Sequence, residues 1–253
     1  MDLQGRIALI TGSTAGGIGR STAITLAGRG ADIVLNYGTN RADDDADHQA
    51  RVVEAAIRDL GRRVLLVKAD TRDGDAVTDM VGQAVDEFGK LDIVVANASG
   101  AWNFKGITEM TLEEFRDGMD AELHGAYALV HACLPVMRRN RWGRIVLLGV
   151  YGAGIDARDP ADFHIGKGAR HLLAQHLARQ ERPHNITANL VSPGAGHTEH
   201  FGTMDEALTY AAHGDEWSRR ERCTPQDIAD AIAYLCSEQG RFVNGSQLSF
   251  AIE

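Results

Sequence analysis

Short apolar runs alternate with longer stretches of helical spacing along almost the whole chain. The runs are continuous and rich in Val, Ile and Leu, a pattern typical of strands that are buried on both faces of a parallel sheet. The predicted strands are Arg6–Thr11, Ala31–Asn36, Arg63–Lys68, Asp92–Ala96, Arg144–Leu148, Asn185–Val191 and Gln247–Ile252.

The stretches between these runs are predicted helices, and two of them begin with capping signals. Thr111 precedes Glu113 and Glu114, and Thr224 is followed by Pro225. Strict alternation of strand and helix predicts right-handed crossovers and an α/β fold, a doubly wound seven-stranded parallel sheet with helices on both faces. The predicted helices are Ile18–Arg29, Asp47–Leu60, Asp75–Phe88, Leu112–Arg139, Asp162–Arg182 and Pro225–Cys236.

The chain carries no proline-rich linker, low-complexity tract or repeat that would divide it. We therefore expect residues 1–253 to form a single domain. The longest stretch without clear periodicity, Ala195–Cys223, would lie over the carboxyl ends of the strands, where ligands bind in such sheets. It is either a substrate lid or an ordinary surface excursion.

Composition narrows the possible partners. Of the 253 residues, 44% are hydrophobic, which is enough for a sizeable core, and the net charge is −9. An acidic surface repels phosphate backbones and anionic lipids, so we expect no nucleic acid and no membrane as partner. No apolar run reaches the roughly 18 residues that span a bilayer. The absence of a signal-peptide pattern and the odd number of cysteines favour a reducing compartment, which predicts a cytoplasmic protein.

The turn after the first predicted strand contains four glycines in eight residues, from Gly12 to Gly19. Glycines allow a tight turn and a close approach of the backbone to a pyrophosphate, and the following helix presents free N–H groups to the phosphates. Because the turn lies between a predicted strand and a predicted helix, it predicts a dinucleotide site.

This turn resembles the TGxxxGxG segment of short-chain dehydrogenases/reductases. Four residues instead of three separate Gly12 from Gly17, so either Gly16 takes the place of the middle glycine or the loop bulges by one residue. Asp70, the Asn97-Ala98-Ser99-Gly100 segment, and Pro193-Gly194 with Thr198 beyond it are also similar to family segments.

The resemblance covers nearly the whole chain. It implies a Rossmann-type fold, a nicotinamide dinucleotide as cofactor, a small-molecule substrate, and a homodimer or homotetramer that uses the two long central helices. The residues it implies for cofactor binding are Gly12, Thr14, Gly17, Ile18, Gly19, Tyr37, Arg41, Asp70, Thr71, Asn97, Ala98, Lys167, Pro193, Gly194 and Thr198.

The end of the second strand bears on the choice of dinucleotide. Folds that bind NAD usually carry an acid there that accepts from the ribose 2′-OH, and Tyr37 stands in that place. Without the carboxylate a 2′-phosphate is not repelled, and Arg41 could bind it. We therefore favour NADP(H) over NAD(H), although the acidic run Asp43-Asp44-Asp45 argues mildly against a phosphate there.

The catalytic positions of the family are altered. By resemblance, the family pairs a tyrosine and a lysine four residues apart on one helix with a serine and an asparagine. This chain keeps Lys167 but has Phe163 at the tyrosine position, Val150 at the serine position and Glu122 at the asparagine position. A phenyl ring donates no proton and an isopropyl group orients no carbonyl, so the usual proton transfer is not available.

The remaining polar groups leave alternatives open. Lys167 either contacts the nicotinamide ribose or is held only by Glu122 in a buried ion pair, and Glu122 could also relay protons. Tyr151 either reaches the pocket or packs as an aromatic residue at a strand end. Gly166 and Gly168 each weaken a helix relative to alanine. Their missing side chains either leave room for a ligand or a neighbouring backbone, or reflect relaxed selection for activity. His197 and His200 lack the spacing to acidic ligands that would argue for a metal site.

Three functions fit this pattern. The first is an NADP-dependent oxidoreductase whose substrate supplies its own acid, accepts hydride as an iminium or quinone-like system, or takes a proton from water. The second is a non-redox cyclase, lyase or isomerase on the same scaffold. The third is a non-catalytic partner of a related enzyme.

Overall fold

The computed structural model describes residues 1–14, 17–38, 45–151, 159–194 and 223–250. Within them seven parallel strands form one sheet in the order β3-β2-β1-β4-β5-β6-β7, which confirms the predicted doubly wound fold. The strands are β1 Ile7–Ile10, β2 Asp32–Tyr37, β3 Val64–Lys68, β4 Ile93–Ala96, β5 Gly143–Leu148, β6 Ile186–Pro193 and β7 Gln247–Phe250.

Helices cover both faces of the sheet because the central strands are buried on both sides; every residue of β1, β4, β5 and β6 is buried. One apolar core lies under α1, α2 and α7, and the other lies under α3, α5 and α6. The helices are α1 Ile18–Gly28, α2 Asp45–Asp59, α3 Gly74–Phe88, α4 Leu112–Met119, α5 Gly125–Asn140, α6 Ala161–Gln180 and α7 Pro225–Cys236.

Both predicted capping signals are present. The Thr111 hydroxyl accepts the N–H of Glu114 at 3.1 Å, and the Glu114 carboxylate accepts the N–H of Thr111 at 2.9 Å, which closes a capping box at the start of α4. Thr224 and Asp227 form the equivalent box at the start of α7.

The single helix predicted over Leu112–Arg139 is wrong in one respect. A π-helical segment, Asp120–His124, separates α4 from α5. It lies close to α6, where a Cβ on Gly166 would approach the Cβ of Glu122 to 2.5 Å. The wider turn places the Glu122 side chain and its carbonyl toward α6, which a regular α-helical spacing does not predict.

The described ranges contain no helix that is both long and apolar enough to cross a membrane. The lid predicted at Ala195–Cys223 lies outside the described residues except for its last residue, Cys223.

Candidate functional site

The strand order reverses between β1 and β4, and this point opens a crevice at the carboxyl ends of the strands. The glycine-rich turn begins here. Gly12 and Gly17 have φ angles of 61° and 128°, which favour glycine. A Cβ on Gly19 would lie 2.6 Å from the Asn97 amide nitrogen, so α1 packs against this turn only because residue 19 has no side chain. Gly16, which the sequence offers as a replacement for the middle glycine, lies outside the described residues.

Two asparagines, the buried Asn36 and the partly buried Asn97, hold the turn in place. The Asn97 amide donates to the carbonyls of Thr11 at 2.9 Å and Gly12 at 3.0 Å. The side-chain oxygen of Asn36, Oδ1, accepts the N–H of Gly12 at 3.3 Å, while the side-chain nitrogen, Nδ2, donates to Ala69 O at 3.0 Å. Sequence analysis predicted Asn97 but missed Asn36, although an asparagine inside an apolar strand was a visible signal.

The start of α1 suits an anion. Gly17 is the N-cap and gives the helix no side-chain cap, so the first N–H groups have no side-chain acceptor among the described residues. Ile18 and Thr14 are buried beside the turn. Unused N–H groups at a helix start are the donors that a pyrophosphate needs, so the residues present fit a dinucleotide.

Tyr37 ends β2 and is joined by two charged residues. The Asp47 carboxylate accepts from Lys68 Nζ at 3.0 Å, and the Lys68 ammonium lies 5.6 Å from the centre of the Tyr37 ring. Burial and a hydrogen bond to Asp47 raise the pKa of the Tyr37 hydroxyl. An acid from α2 therefore stands beside the tyrosine, while the predicted Arg41 lies outside the described residues.

The segment after β3 holds the predicted Asp70 and Thr71. The Asp70 carboxylate accepts a two-pronged contact from Arg72, at 2.7 Å from Nη2 and 3.1 Å from Nε. The carbonyl of Thr71 would lie 2.7 Å from a Cβ on Gly125, so this segment packs directly on the start of α5.

Three buried charges meet between α6 and the π segment. Lys167 Nζ lies 3.2 Å from Glu122 Oε2, and Arg170 Nη2 lies 3.5 Å from the same oxygen. The other carboxylate oxygen, Oε1, accepts from Ser99 Oγ at 2.6 Å and from Gly100 N at 2.7 Å. The predicted ion pair between Glu122 and Lys167 is thus present, with a second cation that the sequence did not reveal.

The environment shifts the pKa values of this cluster. Burial and the nearby Arg170 charge lower the pKa of Lys167 to about 8, although Glu122 opposes the shift. Burial alone would raise the pKa of Glu122, but Lys167 and Arg170 hold that pKa below its ordinary value. Burial lowers the pKa of Arg170 to about 10. Glu122 is therefore ionised near neutral pH, and Lys167 is the group nearest to its titration point.

Arg170 is the main site residue that sequence reasoning missed. Its guanidinium donates to the carbonyls of Ala96 at 3.1 Å, Leu148 at 2.8 Å and Ala98 at 3.1 Å, and also to the carbonyl of Glu122. It therefore ties the carboxyl ends of β4 and β5 to the π segment. Its position three residues after Lys167 on the buried face of α6 was the available signal.

Phe163 lies one turn before Lys167 on α6. Its ring centre is 5.5 Å from Lys167 Nζ and 5.5 Å from the ring centre of Trp102, which packs in turn on Phe104. Phe163 also lines a cavity of about 200 Å³ next to Glu122. The candidate catalytic positions Phe163, Lys167 and Glu122 are thus brought together.

The end of β5 lies beside the end of β6. Val150 and Tyr151 follow β5, and the Tyr151 N–H donates to Pro193 O at 2.8 Å. Gly194 follows Pro193, while Thr198 lies outside the described residues. The described ranges contain no group of three or more histidine, cysteine or carboxylate side chains that could hold a metal ion.

Comparison with known proteins identifies the family. A family model described as Enoyl-(Acyl carrier protein) reductase matches residues 13–250. L-rhamnose 1-dehydrogenase (NAD(P)(+)) of Sphingomonas sp. strain SKA58 is 33% identical over 251 residues, covering 97% of this chain and 94% of that protein. Cyclohexanol dehydrogenase of Rhodococcus sp. strain TK6 is 33% identical over 258 residues, with the same coverage.

A solved structure agrees with these relatives. The short-chain dehydrogenase from Burkholderia cenocepacia J2315, in complex with NADP, superposes with a TM-score of 0.82 at 27% identity, covering 99% of this chain and 98% of that one. The chain belongs to the short-chain dehydrogenase/reductase family, as the resemblance implied. Among its relatives are oxidoreductases that act on small molecules, the sugar and alcohol dehydrogenases above.

Proposed function

We propose that this protein is an NAD(P)(H)-dependent oxidoreductase of a small organic substrate that works without a tyrosine as proton donor. The observation that carries the proposal is the arrangement on α6. Lys167 is buried and held by Glu122, next to the crevice, while the residue one turn earlier is Phe163. The lysine of the family site is kept, and the phenol is replaced by a phenyl ring.

The chain's own residues would hold the dinucleotide along the crevice. The turn from Gly12 to Gly19 and the uncapped start of α1 would bind the pyrophosphate. Asp70 and Thr71 would contact the adenine, and Asn97 and Ala98 would lie against the middle of the dinucleotide. Lys167, Pro193 and Gly194, with Thr198, would hold the nicotinamide riboside. When bound, this cofactor supplies or accepts a hydride.

The substrate side of the proposed site is apolar where the family is polar. Phe163 and Val150 offer no proton, so the substrate has to need none in the transfer step or has to take one from water or from another group. Tyr151, next to Val150, and Glu122 are the candidates for that other group. Lys167 keeps Glu122 ionised, which favours a proton acceptor over a donor at this position.

We propose NADP(H) over NAD(H) because Tyr37 occupies the place of the acid that would repel a 2′-phosphate. Lys68 lies beside the Tyr37 ring and adds a positive charge at the same corner. Asp47 opposes it, so the preference depends on whether the phosphate displaces this carboxylate from Lys68.

Consumption of NADPH tests the proposed function. We expect the protein to reduce members of a panel of imines, quinones and ketones, with a loss of dihydronicotinamide absorbance equal to the product formed. The Phe163→Tyr variant should gain ketone substrates, because the restored phenol lies one turn from Lys167. Equal ketone reduction by both forms would contradict the proposed role of Phe163.

A non-redox catalyst is the second candidate, and the same Phe163 favours it, because a site without a proton donor at this position suits a reaction without carbonyl reduction. In that case product forms while the NADPH concentration stays constant. The absorbance measurement combined with product analysis distinguishes the two functions.

A further inference from the structure

The wall of the cavity beside Phe163 combines carboxylates with an aromatic ring. The cavity opens between the segment after β4, helix α4 and the start of α6, and Asp117, Gly118 and Asp162 line it together with Phe163. Glu122 also lines the cavity, and its carboxylate lies 3.2 Å from Lys167 Nζ, so the cavity reaches the cluster around Lys167.

Asp162 is a buried carboxylate that faces this cavity. Asp162 is only 3% exposed, and one of its carboxylate oxygens, Oδ1, accepts the N–H of Phe163 at 2.9 Å. The other oxygen has no hydrogen bond or ion pair within the part of the chain that the structure describes. A Cβ on Gly118 would overlap Asp162 and would lie 2.7 Å from its Cβ, so the carboxylate fits here only because residue 118 is glycine.

The nearby cations in the part of the chain that the structure describes are already engaged by other acids. Arg72 lines the cavity but contacts Asp70 at 2.7 Å, and Lys167 contacts Glu122 at 3.2 Å. Lys105 is paired with Glu114. Asp162 is 3% exposed and has no counter-ion among the described residues, so a cation that enters the cavity would be stabilised by its carboxylate.

Aromatic rings form the adjoining side. Phe163 lines the cavity, and Trp102 and Phe104 continue the aromatic surface outward, with ring centres 5.5 and 5.8 Å apart along the row. Aromatic faces attract organic cations, most strongly when the cation loses water. A metal ion fits less well, because no three potential metal ligands converge in the described ranges.

We propose that this cavity binds a positively charged nitrogen of the substrate, an ammonium or iminium group, between the Asp162 carboxylate and the Phe163 ring. The proposal rests on the proposed function and names its substrate class. An iminium carbon would accept a hydride from NAD(P)H, and the π electrons of the C=N bond would become the lone pair of the amine. The products are a neutral amine and NAD(P)⁺, so this step needs no proton, which agrees with Phe163 and Val150.

Binding of a permanently charged probe tests the proposal without catalysis. Calorimetric titration of the NADP⁺-loaded protein compares the N-methyl dihydroisoquinolinium ion with a tetralone, a neutral molecule of similar size. We expect the ion to bind at least about tenfold more tightly, because the charge of Asp162 and the aromatic wall favour only the cation.

The Asp162→Asn variant should lose about this tenfold preference. Asparagine can still accept the Phe163 N–H, so the start of α6 is kept. Asp86→Asn removes the same charge from the exposed face of α3 and should change neither affinity. If Asp162→Asn does not fold, increasing salt should weaken binding of the ion to the wild type and leave the tetralone unaffected.

The inference is overturned if the ion binds no more tightly than the tetralone, or if Asp162→Asn weakens both equally. Failure of the proposed function has a different signature, because no member of the substrate panel would then consume NADPH, whether or not the ion binds. NADPH binding with reduction of neutral carbonyls and no preference for the ion would remove the inference alone.

Discussion

Glu122 carries a charge that two buried cations depend on. Replacing it with glutamine keeps the acceptor for Ser99 and Gly100 but leaves Lys167 and Arg170 without their carboxylate. Breaking a buried pair from one side costs about 3 kcal/mol or more. We therefore expect Glu122→Gln to lower the free energy of unfolding by about 3 kcal/mol in urea denaturation.

The matched control for this variant is Glu54→Gln. Glu54 forms an ion pair with Arg58 one turn away on the surface of α2. Such pairs contribute about 0.5 kcal/mol, so this change should be small. Similar losses of unfolding free energy for the two variants would mean that the charge of Glu122 contributes no more to stability than a surface charge does.

Lys167 makes a prediction about pH. Burial lowers its pKa from the ordinary lysine value of 10.5 to about 8 in the folded protein, so the unfolded chain binds more protons between these values. Stability contributed by this group therefore rises with pH through this window. Between pH values of roughly 7.5 and 10, we expect the free energy of unfolding of the wild type to rise by about 2 kcal/mol relative to that of Lys167→Met.

Denaturation of both proteins across this pH range measures the difference. A gap between the two that stays constant with pH would show that Lys167 keeps its ordinary pKa. A gap that moves in the opposite direction would mean that the fold prefers the charged amine.

Single residues differ in how well the sequence predicted them. The pairing of Glu122 with Lys167 followed from their positions in the family pattern. Arg170 was not predicted, because an arginine in a helix is usually exposed and its carbonyl partners come from strands and a π segment distant in the chain. Asn36 was missed for a similar reason, since its partners, Gly12 and Ala69, belong to other elements.

At the scale of elements, α6 contains a natural pair of test positions. A Cβ on Gly166 would meet the Glu122 Cβ at 2.5 Å, whereas a Cβ on Gly168 meets nothing within 4 Å. Alanine is favoured over glycine in a helix by about 1 kcal/mol. We expect Gly168→Ala to stabilise the protein by about that amount and Gly166→Ala to destabilise it, as measured by thermal or urea unfolding.

The opposite signs are the informative result for this pair. Stabilisation by both changes would mean that α6 and the π segment are farther apart than the 2.5 Å between a Gly166 Cβ and the Glu122 Cβ implies. Destabilisation by both would point to a backbone conformation at Gly168 that alanine does not tolerate.

The elements themselves were largely predictable. The prediction Arg144–Leu148 differs from β5, Gly143–Leu148, by one residue, because a strand buried on both faces leaves a continuous apolar run. The break at Asp120–His124 was not predictable, because it depends on the close approach of α6 and not on local propensity. The cavity near Asp162 was hidden for the same reason, since Gly118 lies forty-four residues before that aspartate in the printed sequence.

At the scale of the whole molecule, the proposed homodimer or homotetramer has candidate contact residues. Tyr127 on α5 and Ile165 and Leu172 on α6 are each more than half exposed in the single chain. Light scattering should give a mass of two or four chains, and Ile165→Glu with Leu172→Glu should give the mass of one, because buried unpaired charges oppose association. A monomeric wild type would contradict this expectation.

We expect the crevice between β1 and β4 to bind a nicotinamide dinucleotide although the phenol of the family site is absent. Calorimetric titration of the purified protein with NADPH and then NADH tests it most directly. We expect saturable binding of one dinucleotide per chain, with NADPH binding about tenfold more tightly than NADH, or roughly 1.4 kcal/mol. Heat of dilution alone for both dinucleotides, with protein that unfolds cooperatively, would contradict it.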